Sequence, residues 1–167
     1  MYIQLMTLPP GNNRKAPQAS VRIAEACLAV RVRMLGRAVT SVYDEALRPF
    51  GVTTGQVNIL VTVSILSGEG RRPPTQGTVG GLLYMEKSTL SRNVERLQRD
   101  GLVTSFAGDD ARSRCLTVTP KGDRMIERIL PAWERAQERA GALLGRDAER
   151  ALSASAEQLW KETTPAG

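Results

Sequence analysis

Between Glu86 and Val103 the chain sets hydroxyls and cations against an apolar spacing. Leu90, Val94 and Leu97 recur at i, i+4 and i+7, while Lys87, Ser88, Ser91, Arg92 and Arg99 fall elsewhere. The first set defines one face of a helix. The second places hydrogen-bonding and basic groups on the faces that packing does not claim. A short helix held on one side, with hydroxyls and cations on the other, suits a DNA major groove. That groove admits a helix, and its base edges are read by such side chains. The same face would also serve as an ordinary solvated surface, and the residues after Gly101 weigh between the two.

Several elements must position this helix. Gly101 stops it, and Leu102 to Ala107 and Arg114 to Thr119 are two β-prone runs. Gly108-Asp109-Asp110-Ala111-Arg112-Ser113 is the polar turn of a hairpin between them. Upstream, Thr75 can cap a short helix to Leu83 with Val79, Leu82 and Leu83 as its apolar contacts. Gly77, Gly80 and Gly81 each weaken that helix by up to about 1 kcal/mol relative to alanine. Tyr84-Met85 turns into the next helix. Helix, turn, helix and hairpin in this order predict a winged helix-turn-helix, mainly α with a small β-hairpin wing.

Around it lie longer helices. From Val21 to Leu47 the residues Leu28, Val32, Leu35, Val39, Val42 and Ala46 alternate in steps of four and three, a seam meant for other helices. Pro49-Phe50-Gly51 ends it, and Thr53 with Gln56 offers a capping box for a mostly apolar helix to Leu66. Ser67 to Pro74 is a turn-rich connection. Thr119-Pro120-Lys121-Gly122 starts another long helix with Ile126, Ile129, Leu130, Trp133, Ala140 and Leu143 on its apolar face. Pro131 sits inside it, where a kink is expected because the missing amide would have bonded the Glu127 carbonyl. Ala148, Leu152, Ser155 and Leu159 trace a last amphipathic helix to about Glu162. The expected organisation is a flexible basic arm over residues 1–20, a dimerisation helix over 21–52, the winged domain over 53–122, and C-terminal dimerisation helices over 123–167.

Composition excludes several functions. The 167 residues, 24% charged and 41% hydrophobic, suit one globular domain. A net charge of +6 and a pI of about 9.9 favour an anionic partner. With no histidine, the commonest general base and metal ligand are missing. Cys27 and Cys115 alone cannot build a structural zinc site or a disulfide framework. No glycine-rich phosphate loop or carboxylate cluster is present, so no enzyme, cofactor or metal is expected. Met1 to Leu8 carries no secretory pattern, and the longest apolar stretch, Val57 to Leu66, is too short to span a membrane. A cytoplasmic protein with reduced thiols is the expectation.

These residues resemble the MarR family of bacterial transcription regulators. The resemblance runs roughly from Cys27 to Leu144. Its most specific parts are Glu86 through Leu97 to Asp100-Gly101-Leu102-Val103, the wing Asp109-Asp110-Ala111-Arg112-Ser113-Arg114, and Leu116-Thr117-Val118-Thr119-Pro120-Lys121-Gly122. It implies a homodimer built from the first helix and the last two, two winged helices on a pseudo-palindromic double-stranded DNA operator, and a repressor released by a small ligand or by oxidation. Three positions depart from the family pattern. Ser113 stands where an aspartate is frequent, Tyr84 where a glycine is frequent, and Gly77, Gly80 and Gly81 replace better helix formers.

Roles can then be assigned. Ser88, Thr89 and Arg92 are the candidate base readers, with Lys87 reaching a phosphate or a base edge and Ser91 counted among the DNA-binding residues. The alternatives are that Thr89 caps the helix and that Lys87 is solvated. Arg112, oriented by Asp110, could enter a narrow minor groove. Arg96, Arg99 and Arg114 are read as meeting phosphates or internal acids, which sets affinity and not sequence. In the family resembled, ligands such as phenolic acids lie between the dimerisation helices and the winged domain. The matching lining would draw on Arg31, Met34, Arg37, Val57, Leu60 and Trp133, with Arg31 or Arg37 holding a carboxylate or both lying on a solvated face. Some members sense oxidants with a first-helix cysteine. Cys27 falls close to that position, and it reads as a buried structural cysteine with a redox sensor as the alternative. A winged helix used only for protein assembly would need neither the polar outer face nor the wing arginine.

Overall fold

In the computed structural model, Thr53 opens the element on which the fold is laid. Its hydroxyl accepts from the Gln56 amide while the Gln56 side-chain oxygen accepts from the Thr53 N–H at 2.9 Å, the reciprocal cap read from the sequence. The structure describes residues 17–68, 71–108 and 113–163, the last two by backbone alone. The chain divides into two units, Met1–Ala38 and Val39–Gly167.

In the first unit, α1 runs over Gln18–Ala26 and α2 begins at Leu28 and continues into the second unit to Leu47. This corrects two expectations. Helix starts at Gln18, inside the stretch expected to be a flexible arm, with Pro17 at the cap position; residues 1–16 lie outside the described set. And the first helix is not continuous. Cys27 has extended backbone, φ −66° and ψ 102°, and breaks it into two. The apolar spacing passes over this point unchanged, so periodicity alone could not reveal it. Leu28, Val32 and Leu35 are exposed, an apolar seam without cover among the described residues.

The second unit carries the core. After a single 3-10 turn, Arg48–Phe50, come α3 (Thr54–Leu66), α4 (Gln76–Leu82), α5 (Lys87–Arg99), β1 (Val103–Ala107), β2 (Arg114–Val118), α6 (Pro120–Leu144) and α7 (Arg146–Thr163). Asp44 near the end of α2 accepts from both the amide and the hydroxyl of Thr54, at 2.7 and 2.6 Å, and so supplements the Thr53 cap. Buried residues of α3 (Val57, Ile59, Leu60, Val63), α5 (Leu90, Val94, Leu97) and the strands (Val103, Leu116) form one cluster with Leu47, Leu102 and Ile129. The strands pair antiparallel with Ser105 opposite Leu116 and Ala107 opposite Arg114. Pro74 and Thr75 lengthen this sheet: the Leu116 amide donates to the Pro74 carbonyl, and Thr75 bridges to Cys115. This is a winged helix-turn-helix.

The long helix α6 runs without a break through Pro131. Its buried positions are Gly122, Ile129, Ala132, Ala136 and Ala140, whereas Leu130, Trp133 and Leu143 from the expected apolar face are exposed. Besides Ile129, the side chains that face inward are small and permit close approach, while Leu130, Trp133 and Leu143 are left outside. Gly122 has a sharper reason. A Cβ there would lie 2.3 Å from the Leu102 carbonyl oxygen and 2.6 Å from Val118 Cγ1, so only glycine lets the helix start against the hairpin. Along α7, Leu152, Leu159 and Trp160 are exposed. Among the described residues no single helix is long and apolar enough to cross a membrane, and no group of three or more histidine, cysteine or acidic residues could hold a metal ion.

Candidate nucleic-acid interface

The helix α5 has two faces of opposite character. Leu90, Val94 and Leu97 are buried; Lys87, Ser88, Thr89, Arg92, Arg96 and Arg99 are exposed and Ser91 is half-buried. Its N-terminus follows the turn that α4 leads into. Tyr84 there has φ 49°, a left-handed conformation that costs a non-glycine residue about 1–2 kcal/mol. The glycine common in the resembled family would be unstrained. The turn is held by the Met85 amide on the Gly80 carbonyl at 2.9 Å. Gly80, read from the sequence only as a weak helix former, lets α4 and α5 cross closely, since a Cβ would stand 2.9 Å from Leu90 Cδ2.

Side-chain bonds along the outer face decide what α5 can present. Glu86 takes the cap position without a side-chain cap, and its carbonyl accepts the amides of Thr89 and Leu90. Thr89 therefore sits within the first turn and does not cap the helix, which removes the alternative reading of that residue. Arg92 Nε donates to the Ser88 carbonyl at 3.1 Å, using one of the five donors of the guanidinium. The Ser91 hydroxyl donates to Glu95 at 3.2 Å, so its lone pairs are what it offers outward. Arg96 and Arg99 occupy the last turn, where cations complement the helix dipole. Lys121 Nζ donates to the Asp100 carbonyl at 2.7 Å and Thr119 Oγ1 to the Gly101 carbonyl at 2.7 Å, so the start of α6 closes the end of α5. Neither contact was legible from spacing.

Arg114, at the first residue of β2, bonds the Ser105 hydroxyl of β1 at 2.7 Å. A hollow of about 720 Å³ lies beside it, lined by Thr75, Tyr84, Lys87, Ser91 and Arg114 among others. The structure thus brings Lys87, Ser91 and Arg114 to one concavity between α5 and the wing, with Ser88, Thr89 and Arg92 on the neighbouring exposed turns. Asp110 and Arg112 of the wing tip lie outside the described residues.

No family model matches the chain. Solved structures do. A transcriptional regulator of M. tuberculosis, MosR, crystallised in complex with DNA, is 30% identical, with 80% of this chain and 96% of that chain covered at a TM-score of 0.66. A mutant MarR from E. coli, complexed with operator DNA, matches in fold: TM-score 0.67 at 19% identity, over 86% of this chain and 97% of that one. An HTH-type transcriptional regulator of Bacillus subtilis, YwoH, is 25% identical over 99 residues, 59% of this chain and 69% of the relative. The chain belongs to the MarR family of transcriptional regulators.

The residues expected to line an effector site in this MarR-family chain separate into two groups. Val57 and Trp133 line an apolar cleft of about 390 Å³ in the second unit with Val61, Leu83, Ile126 and Leu130. Leu60, expected in the lining, is fully buried in the core. The Trp133 ring also meets Tyr43 at 6.2 Å between centroids, and the Tyr43 hydroxyl donates to Gln137 Oε1. Burial, and secondarily the Glu149 carboxylate, raises the Tyr43 phenol above its usual range. Arg31, Met34 and Arg37 lie in the first unit, where the Arg31 guanidinium donates to the Glu25 carbonyl and Arg37 is exposed. Cys27, expected buried within a helix, is half-buried at the helix break; Cys115 is buried as a structural cysteine should be.

Proposed function

We propose that this MarR-family regulator acts as a homodimeric repressor that reads a pseudo-palindromic operator. The observation that carries the reading is α5: Leu90, Val94 and Leu97 fix it in the core while Lys87, Ser88, Thr89 and Arg92 stand exposed beside a wing. In this reading Ser88, Thr89 and Arg92 meet base edges in the major groove and Ser91 accepts from them. Lys87, Arg96 and Arg114 meet phosphates, and Arg112, oriented by Asp110, enters the minor groove. The DNA complexes of MosR and MarR lend support. The exposed apolar side chains Leu28, Val32 and Leu35 of α2 and Leu152 of α7 supply dimer contacts with a second copy. The reading needs no catalysis, cofactor or metal, and it places the protein in the cytoplasm.

Release is assigned to a small aromatic acid whose ring enters the cleft beside Trp133. The test is fluorescence anisotropy with the upstream DNA of the protein's own gene against a scrambled duplex at near-physiological salt. Discrimination of about 1,000-fold or more is expected. Equal affinity for both duplexes would leave a winged helix used for protein assembly. Salicylate-like acids are then titrated onto the bound complex beside a peroxide series. Release by peroxide that disappears in Cys27→Ser would make the protein a redox switch.

A further inference from the structure

Ser105 has no role in the reading above, yet it is where three elements meet. Its hydroxyl oxygen accepts from Gln98 Nε2 at 2.9 Å and from Arg114 Nη2 at 2.7 Å. Gln98 belongs to the last turn of α5, Ser105 is the middle residue of β1, and Arg114 begins β2. The register explains the meeting. Ser105 lies opposite Leu116, so Arg114 is its diagonal neighbour on the same face of the hairpin, a separation that a long side chain spans. A hydroxyl has two acceptor lone pairs. Here both are engaged, one by a neutral amide and one by a charged guanidinium, whose bond is the stronger kind. Arg114 also lines the hollow that holds Lys87 and Ser91.

From this geometry we infer that Ser105 is a positioning residue for DNA binding: it ties the guanidinium of Arg114 to α5, so that the wing cation and the α5 cations face one stretch of phosphates as a fixed set. The inference rests on the DNA-binding reading above. A free arginine on a two-stranded wing would have to be immobilised on binding, at a cost in affinity. Held through Ser105 and Gln98, it is already placed. Ser105 itself touches no nucleic acid in this account.

The experiment uses the full chain and a short random-sequence duplex, because a phosphate contact is independent of sequence. Affinity is measured over a salt series for wild type, Ser105→Ala, Ser105→Thr, Arg114→Ala and the double variant Ser105→Ala/Arg114→Ala. Ser105→Ala should bind about three- to ten-fold more weakly at every salt concentration, the scale of one immobilised side chain. Its salt slope should equal that of wild type, since no charge is lost. Arg114→Ala should flatten the slope by about 0.9, one phosphate's share. Adding Ser105→Ala to Arg114→Ala should cost nothing further, and Ser105→Thr, which keeps the hydroxyl, should bind as wild type does. An equal loss from Ser105→Ala in both backgrounds, or no loss in either, overturns the inference. A DNA-free readout separates the two failures. In the free protein, the side-chain N–H resonances of Arg114 and Gln98 should shift on Ser105→Ala, and unchanged resonances overturn the junction itself. A wild type that binds no duplex while these resonances do shift would reject the DNA-binding reading and leave the junction standing.

Discussion

Leu90, Val94 and Leu97 on α5 and Leu28, Val32 and Leu35 on α2 follow the same kind of spacing, yet the first three are buried and the second three are exposed. The winged helix closes its own core: α3, α5 and both strands contribute to one cluster. The terminal helices do not. Along α7, Leu152, Leu159 and Trp160 repeat the pattern of α2, large apolar side chains left exposed on a helix. Amphipathic spacing therefore states that a face will be covered and is silent on whether the same chain or a second copy covers it.

The largest effect should come from breaking the exposed seam of α2. Val32→Asp combined with Leu35→Asp places two charges where a second copy is expected to pack, and desolvating them should convert a dimer into a species of 18.2 kDa by light scattering at micromolar concentration. A wild type that already runs as one chain across that range would remove the dimer from the reading. Next comes the covered side. Gly122→Ala forces a Cβ onto the Leu102 carbonyl oxygen and should cost about 3 kcal/mol of stability by urea unfolding, at the upper end for overpacking. A cost near zero would mean that α6 and the hairpin are not locked as described.

Arg92→Ala sharpens the contrast between the two faces of α5. It should leave stability nearly untouched while costing about 1–3 kcal/mol on a cognate site and relaxing specificity at particular base pairs. Equal losses on cognate and random DNA would assign Arg92 to phosphate alone. The smallest effect concerns Glu45 and Arg139, which pair at 2.8 Å on the surface where the end of α2 meets α6. The Arg139 hydrogen bond and charge hold the Glu45 carboxyl below its usual range. A depressed carboxylate contributes stability above its unfolded-state pKa, and that contribution is lost as pH falls through the folded-state value. The small Tm deficit of Arg139→Ala should therefore be present at neutral pH and vanish on acidification. A deficit that grows in acid would contradict the pairing.

Much of this was legible in the chain. The Thr53–Gln56 cap, the Thr75 cap, the inner face of α5 and the hairpin all follow from interactions within a few residues, where spacing and side-chain type decide the outcome. The break at Cys27 was not legible, because residues on both sides keep one apolar period. The inward face of α6 was read in part: Ile129 and Ala140 are buried as expected, while Ala132 and Ala136 carry little hydrophobic signal and were missed, although their small size is what close packing selects.

The sequence by itself determined the helices of the winged domain, where the hairpin lies, and that hydroxyls and cations occupy the outer face of α5, since these depend on periodicity, caps and residue type. Only the tertiary structure decided that Gly80 and Gly122 are sites of close approach, that Lys121 and Thr119 close the end of α5, and that Gln98, Ser105 and Arg114 share one oxygen. Each of these joins residues on different elements or depends on a distance of a few tenths of an ångström. A pattern along one chain fixes neither, because spacing specifies direction from a helix or strand and not what stands opposite.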